Sequence, residues 1–417
     1  MTPVTAEMPM VVDRQGPSGT HRLFAAGNDA GLAEHVQTFG ALPSHGVDAR
    51  LIDVVEASGL TGRGGAAFAS WRKIAATVDA RSGAPLARKP VVIANGAEGE
   101  PLSFKDKALL AHAPHLVIDG LLTAARAVSG GQLFIYATDA GLPAVERALA
   151  QRHDSRSVRL VAAPETFISG EASAVVNGIA NGPALPTDHR RRLSESGFKG
   201  RPTLVLNVET LAHMALIARY GSAWFRTEGS DRDPGTRLVS VSGPAGDRLL
   251  EVAGDAGLGD VLSSADIDTS SIQAVLVGGY HGRWVRPMDY RLSPTGPASH
   301  TVRPGAGVVH ALPDSVCGLE TTAQIVGYLA NESAKQCGPC MFGLPAMARV
   351  LNSLAYGGRD PQLVRELGRL SRMVTGRGAC HHPDGTAQLV GSALEAFSAE
   401  VAAHLAGTCS KRMGRRS

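Results

Sequence analysis

The sequence predicts an α/β protein whose last third is helical. Three observations carry this. Short apolar runs alternate with helical patterns up to Tyr220. Two β-like runs then lie in turn-rich sequence. After Pro313, apolar residues recur at spacings of three and four to the end.

Residues 1–45 are polar, with scattered Gly and Pro, and are expected to form a weakly structured lead-in. A short helical pattern surrounds Asp48–Ser58. The loop Gly62 to Phe68 precedes a helical stretch over Ala69–Val78. Val91-Val92-Ile93-Ala94 is an apolar run ending in Asn95-Gly96, the signature of a buried strand and turn. Further strands are expected at Leu133–Tyr136, Val158–Val161 and Thr203–Leu206, with helices over His115–Ser129, Leu142–Arg152 and Val208–Tyr220. Thr236–Gly243 and Ala274–Gly279 are β-like and belong to a small α+β module over residues 235–312. Four helices follow over Leu319–Ala334, Gly343–Ala355, Pro361–Thr375 and Thr386–Leu405, enough for a small bundle. The basic tail Lys411–Arg416 reads as a solvated end.

Composition narrows the function. The net charge of +3 over 417 residues gives nucleic-acid binding no support. No run approaches ~18 apolar residues, so no direct membrane span is expected. The N-terminus lacks the pattern of a signal peptide. Five cysteines, an odd number, argue for a reducing compartment rather than a disulfide scaffold. Glycine is enriched at 49 of 417 residues, which suits loops that approach a large cofactor closely.

Three constellations carry chemistry. In Gly62-Arg63-Gly64-Gly65-Ala66-Ala67-Phe68, backbone N–H groups can approach a phosphate or a flat ring, or the glycines simply make a turn. Asn95-Gly96-Ala97-Glu98-Gly99-Glu100 follows an apolar strand, at the carboxyl edge where α/β proteins bind ligands, though a solvated acidic loop reads the same way. Cys337-Gly338-Pro339-Cys340 has the spacing of one metal centre, which the distant Cys380 can complete. A redox dithiol is the competing reading, weakened because no thioredoxin-like strand precedes the pair. His381 and His382 are adjoining candidate ligands. Cys317 and Cys409 fall outside this pattern, as small buried apolar residues usually do.

In this order the constellations resemble the flavin-bearing, NADH-oxidising (51-kDa, or F) subunit of respiratory complex I. They resemble equally its relatives in NAD-reducing hydrogenases and formate dehydrogenases. Five motifs carry the resemblance: Gly62–Phe68 with Lys73, Asn95–Lys107, Phe167–Ala174, Pro202–Leu211 and Glu332–Cys340. It spans about residue 45 to the end.

The resemblance implies a Rossmann-like α/β domain for FMN and a nicotinamide nucleotide over residues 46–230. It implies a ubiquitin-like β-grasp (SLBB-type) module over 235–312 and a four-helix iron–sulfur domain over 313–417. Gly62, Arg63, Gly64, Gly65, Lys73, Asn95, Glu98, Gly170, Glu171, Asn207 and Thr210 would surround FMN. Phe68 and Glu100 would face the nicotinamide nucleotide, NAD(H) or NADP(H). Cys337, Cys340 and Cys380 would hold a [4Fe–4S] cluster. Hydride transfer would occur at the flavin, so no side chain is assigned as acid or base. Electrons would pass to an iron–sulfur partner of ferredoxin type or to a quinone-linked acceptor, in the cytoplasm or at the periphery of a membrane complex. Two alternatives stand beside this: a non-catalytic scaffold descended from the family, and flow from ferredoxin to NAD(P)+.

The chain departs from the family at informative places. Ala334 replaces the first of four cluster cysteines, and Ala76 replaces a nucleotide-stacking aromatic. Ala97 and Ala172 replace carboxylates near the nucleotide. His189-Arg190-Arg191-Arg192 replaces K-P-P-F, and its arginines are either a solvated turn or an anion site for a 2′-phosphate.

Overall fold

The computed structural model describes residues 22–43, 50–82, 88–188, 191–287, 290–409 and 411. Most of the lead-in, Arg190 and most of the basic tail therefore lie outside the described residues.

The first layer is a parallel sheet of four strands, β1 (Val91–Gly96), β2 (Gln132–Ala137), β3 (Val158–Ala162) and β4 (Thr203–Asn207), in the order β3-β2-β1-β4. The first four residues of β1 are fully buried, as a near-continuous apolar strand must be when helices cover both faces. The helices of this region are α1 (Leu32–Phe39), α2 (Arg50–Ser58), α3 (Ser70–Ser82), α4 (Lys105–His112), α5 (Pro114–Ala127), α6 (Leu142–Ala150), α7 (Ala172–Asn181), α8 (Leu193–Ser196) and α9 (Val208–Phe225). Helices α5 and α9 cross with little space between them. A Cβ on Gly120 would run into the Leu211 carbonyl, so only glycine fits there.

Four helices before residue 230 were not expected: α1, α4, α7 and the single turn α8. Helices α4 and α7 begin in polar sequence that masks their periodicity. Helix α1 corrects the reading of the lead-in. Its His35 Nε2–H donates to Asp119 at 2.8 Å, and Asp119 also accepts from Arg152 at 2.6 Å and Arg219 at 2.5 Å. Burial would raise the Asp119 carboxyl. The His35 hydrogen bond and the two arginines outweigh this and hold it well below the usual range. A long-range ion network, not local propensity, thus fixes a helix of eight residues.

The second sheet is mixed. Its strands β5 (Thr236–Ser242), β6 (Arg248–Ala253), β7 (Ile272–Val277), β8 (Arg283–Val285) and β11 (Val308–Pro313) lie in the order β6-β5-β11-β7-β8, with α10 (Leu258–Ser264) alongside. A two-strand ladder, β9 (Arg291–Leu292) and β10 (Thr301–Val302), lies between β8 and β11 in sequence. The C-terminal helices are α11 (Gly318–Asn331), α12 (Leu344–Tyr356), α13 (Gln362–Val374), α14 (His382–Ala396) and α15 (Ser398–Leu405). The last expected helix is two, separated at Phe397, whose buried ring packs on Trp284 of β8 with centroids 5.2 Å apart. The two layers therefore share one apolar cluster containing Trp284, Leu319, Met347, Leu351 and Val390. Among the described residues no single helix is long and apolar enough to cross a membrane.

Candidate functional site: a cleft between the parallel sheet and the second sheet

Parallel pairing places β1 between β2 and β4, and Asn95 pairs with Asn207 in register. Both side chains therefore sit at the carboxyl edge of the sheet. Asn95 Nδ2 donates to the Gly170 carbonyl at 2.9 Å. Asn207 caps α9, its Oδ1 accepting from Glu209 N at 3.0 Å, and its Nδ2 donates to Asp106 at 2.5 Å. Glu98 accepts from the N–H groups of Asp106 and Lys107, both at 3.1 Å, in the first turn of α4. Its other contact is Ser103 Oγ at 2.5 Å. Glu171 caps α7 through Ser173 N and Ala174 N at 2.9 and 3.0 Å.

These ends converge on a cleft of about 1220 Å³. Gly64, Gly65, Asn95, Glu98, Glu100, Gly170, Glu171 and Asn207 line it. So do His281 and Arg303 from the second-sheet region and Cys380 from the helical part. Ligand pockets usually span ~300–1,000 Å³, so this cleft is large enough for a flavin-sized ligand. The glycines form a cradle: a Cβ on Gly64 would meet Asn207 Cβ at 3.2 Å, and one on Gly170 the Ala97 carbonyl at 2.8 Å.

Five expected residues are placed elsewhere. Arg63 is buried and its guanidinium donates to Thr61 Oγ1 at 3.1 Å and to the Thr236 carbonyl at 3.0 Å, tying the glycine loop to β5. Thr210 accepts from Arg63 N at 2.9 Å and supports that loop from behind. Arg63 and Gly62 line a smaller recess behind the loop. Phe68 is 47% exposed and outside the cleft lining. Lys73 also lies outside the lining. Burial lowers its ammonium, against the opposing field of Glu171.

The sequence reading passed over other lining groups. Lys105 donates to Asp106 at 2.5 Å and lies 3.0 Å from Glu209, all three buried. Burial would lower Lys105, but Asp106, Glu209 and Glu98 hold it above its ordinary value. Arg283, Arg286 and Arg303 bring positive charge from the second-sheet region. Only the fold shows them facing the cleft; Arg191 and Arg192, by contrast, are exposed and outside the lining.

Of the three expected cluster cysteines, Cys380 lines the cleft. The Cys340 thiol is buried and interacts with those of Cys337 and Cys380. A cubane holds its ligand sulfurs farther apart than a single ion does, and three cysteines are present for it. His382 is not free to act as the fourth ligand. A carbonyl only accepts, so His382 Nε2–H donates to Leu329 O at 2.8 Å, which leaves Nδ1 to accept from His281 Nε2–H at 3.1 Å. His381 is exposed and pairs with Asp384 at 3.1 Å.

Two family models match the chain. The first, described as the Nuo51 FMN-binding domain, covers residues 55–216. The second, the NADH-ubiquinone oxidoreductase-F iron-sulfur binding region, covers 320–404. The F subunit 2 of the NADH-quinone oxidoreductase of Rhizobium meliloti is 29% identical over 388 residues, covering 85% of this chain and 88% of its own. The chain is similar to the NADH-quinone oxidoreductase F subunits. The Escherichia coli F subunit is 25% identical over 379 residues, covering 84% of this chain and 83% of its own. A chain of NAD+-reducing [NiFe]-hydrogenase in its air-oxidized state superimposes with a TM-score of 0.76 at 26% identity. That match covers 85% of this chain and 62% of the hydrogenase chain, so the chain spans less than two thirds of that protein's length.

Glu100 gives this chain a pH signature. Its carboxylate accepts from Tyr280 N at 2.7 Å and Leu102 N at 3.4 Å. Burial pushes its pKa up to about 7, against those two donors, with Glu98 adding to the rise. A folded-state pKa above the unfolded one contributes stability that is full below the unfolded value of 4.5 and lost as pH rises through about 7. Glu100→Gln should remove that loss. Melting curves should show the variant more stable than wild type at pH 8, by on the order of 1 kcal/mol for this part-buried group, and equal at pH 4. A gap that is the same at both pH values would refute the assignment.

Proposed function

We propose that the chain is the flavin-bearing, NADH-oxidising subunit of an electron-transfer complex. As a NADH dehydrogenase-type oxidoreductase it takes a nicotinamide nucleotide into the cleft beside FMN. One observation carries this: the glycine loop, the end of β1 and the Asn207 cap meet in one cleft that reaches Cys380. FMN, when bound, accepts hydride as a pair and releases electrons singly. The chain's own residues bind and orient. Backbone at Gly64, Gly65 and Gly170 lies against the flavin, and Asn95 and Asn207 offer amides. Glu98 stays fixed by the first turn of α4, and Glu100 faces the nucleotide. Arg63 and Thr210 brace the loop without touching ligand. Arg303 is better placed than Arg191 to meet a nucleotide phosphate.

Residues 46–230 form the nucleotide domain in this reading, 235–312 the β-grasp module and 313–417 the iron–sulfur domain. Cys337, Cys340 and Cys380 hold the [4Fe–4S] cluster. An iron–sulfur partner of ferredoxin type or a quinone-linked chain takes the electrons, in the cytoplasm or beside a membrane complex. Stopped-flow flavin reduction by NADH and by NADPH tests the reading. No bound flavin after reconstitution with excess FMN would sink it. Ala334 supports a second reading, a binding subunit with a degenerate cluster, in which flavin binds but nucleotides do not reduce it.

The cluster prediction follows from Ala334. Wild type should reconstitute with one chelator-labile iron, because three thiolates leave one corner without a cysteine. Ala334→Cys should retain all its iron under the same chelator, read by iron analysis and EPR of the reduced protein. Absence of bound iron in both proteins would show that the cysteines no longer form a cluster site.

A further inference from the structure

A second group of metal-binding side chains lies away from the cleft, where the start of α11 meets the end of the chain. Cys317, Glu320, His404 and Cys409 each present one ligand atom, and the four atoms lie within 4.8 Å of one another. Cys317 Sγ and His404 Nε2 are 3.4 Å apart. A tetrahedral zinc ion with its usual bond lengths places sulfur and nitrogen ligands about 3.5 Å apart. The spacings Cys-x-x-Glu and His-x-x-x-x-Cys fall within those of paired zinc ligands. Cys317, His404 and Cys409 are buried and Glu320 is half-buried. None of the four belongs to the Cys337, Cys340 and Cys380 set.

The surroundings hold the ligands in place. Glu400, one turn before His404 on α15, accepts from Gly318 N at 2.9 Å and lies 3.2 Å from Cys317 Sγ. It also accepts from Gln273 Nε2 on β7. These bonds fix the start of α11 beside α15, the two places from which Cys317 and His404 come. Two thiols, an imidazole and a carboxylate suit a borderline-soft divalent ion, and four protein ligands leave no open position for substrate.

We propose that Cys317, Glu320, His404 and Cys409 form a structural zinc site that clips the C-terminal end of the chain to the first turn of α11. Binding releases the two thiol protons to solvent and forms two zinc–sulfur bonds, with no change of redox state.

The test uses the full chain, purified anaerobically and carrying its own cofactors. Metal analysis should find about one zinc per chain besides iron. Cobalt substitution should give the intense visible bands of a tetrahedral thiolate site. Cys409→Ser and His404→Ala should each weaken zinc binding about 10–100-fold in chelator competition. Cys337→Ser, which touches only the iron–sulfur set, should leave the zinc in place. Far-UV circular dichroism of each variant separates loss of ligand from loss of fold. Failure of flavin binding would overturn the functional reading and leave this site standing. A chain without zinc, zinc retained in folded Cys409→Ser and His404→Ala alike, or a Cys317–Cys409 disulfide in anaerobic protein would each overturn it.

Discussion

Gly64→Trp is expected to abolish flavin binding while leaving the fold intact. Gly64 lines the cleft, and the first atom of any side chain there already meets Asn207 Cβ at 3.2 Å. An indole must then project into the space the flavin ring would take. The apparent Kd for FMN should rise on the order of 100-fold or more, which corresponds to ~2.7 kcal/mol. Gly64→Ala adds only the tight contact with Asn207, which a small shift relieves, and should lose less than ~10-fold. Equilibrium dialysis with FMN measures both, and melting of the flavin-free proteins checks the fold. Full flavin occupancy in a folded Gly64→Trp protein would place the flavin elsewhere.

Lys105→Met should cause the largest loss of stability. Lys105 Nζ lies between the buried carboxylates of Asp106 and Glu209. Glu209 Oε1 accepts from Leu238 N of β5 at 2.8 Å, so the carboxylate that this ammonium neutralises is one of the ties between the parallel-sheet layer and the second sheet. Burial would raise the Glu209 carboxyl, but Lys105, His213 and Arg63 outweigh it and bring it down to about 2. Removing the ammonium leaves buried Asp106 without a cation and Glu209 with Arg63 alone, at a cost of ~3–5 kcal/mol. Calorimetry should show Tm lowered by about 10 °C. Lys105→Met/Glu209→Gln should recover part of that loss, since it removes one stranded charge. If Lys105→Met melts with wild type, the network is not a stabilising junction.

Strands β1, β2 and β4 were legible in the sequence because each is a short, largely apolar run, as burial on both faces demands; the edge strand β3 was legible from Val158, Leu160 and Val161 although it is only partly buried. The glycine loop, Asn95–Glu100 and the paired cysteines were legible for a similar reason. Their chemistry lies in residue types at fixed local spacing. Helices α1, α4 and α7 were not legible: α1 is held by His35–Asp119, 84 residues apart, and α4 and α7 have carboxylates accepting from their first turns.

The sequence by itself determined that the glycine loop and Asn95–Glu100 are candidate ligand segments and that one cluster cysteine is an alanine. Only the tertiary structure decided which way the side chains face. It turned Arg63 and Thr210 behind the loop, turned His382 to the Leu329 carbonyl and brought Arg303 to the cleft. It also placed Cys317 and Cys409, 92 residues apart, against His404 and Glu320. Direction and long-range proximity depend on strand register, helix rotation and the pairing of buried charges. None of these is encoded in the spacing of a single segment.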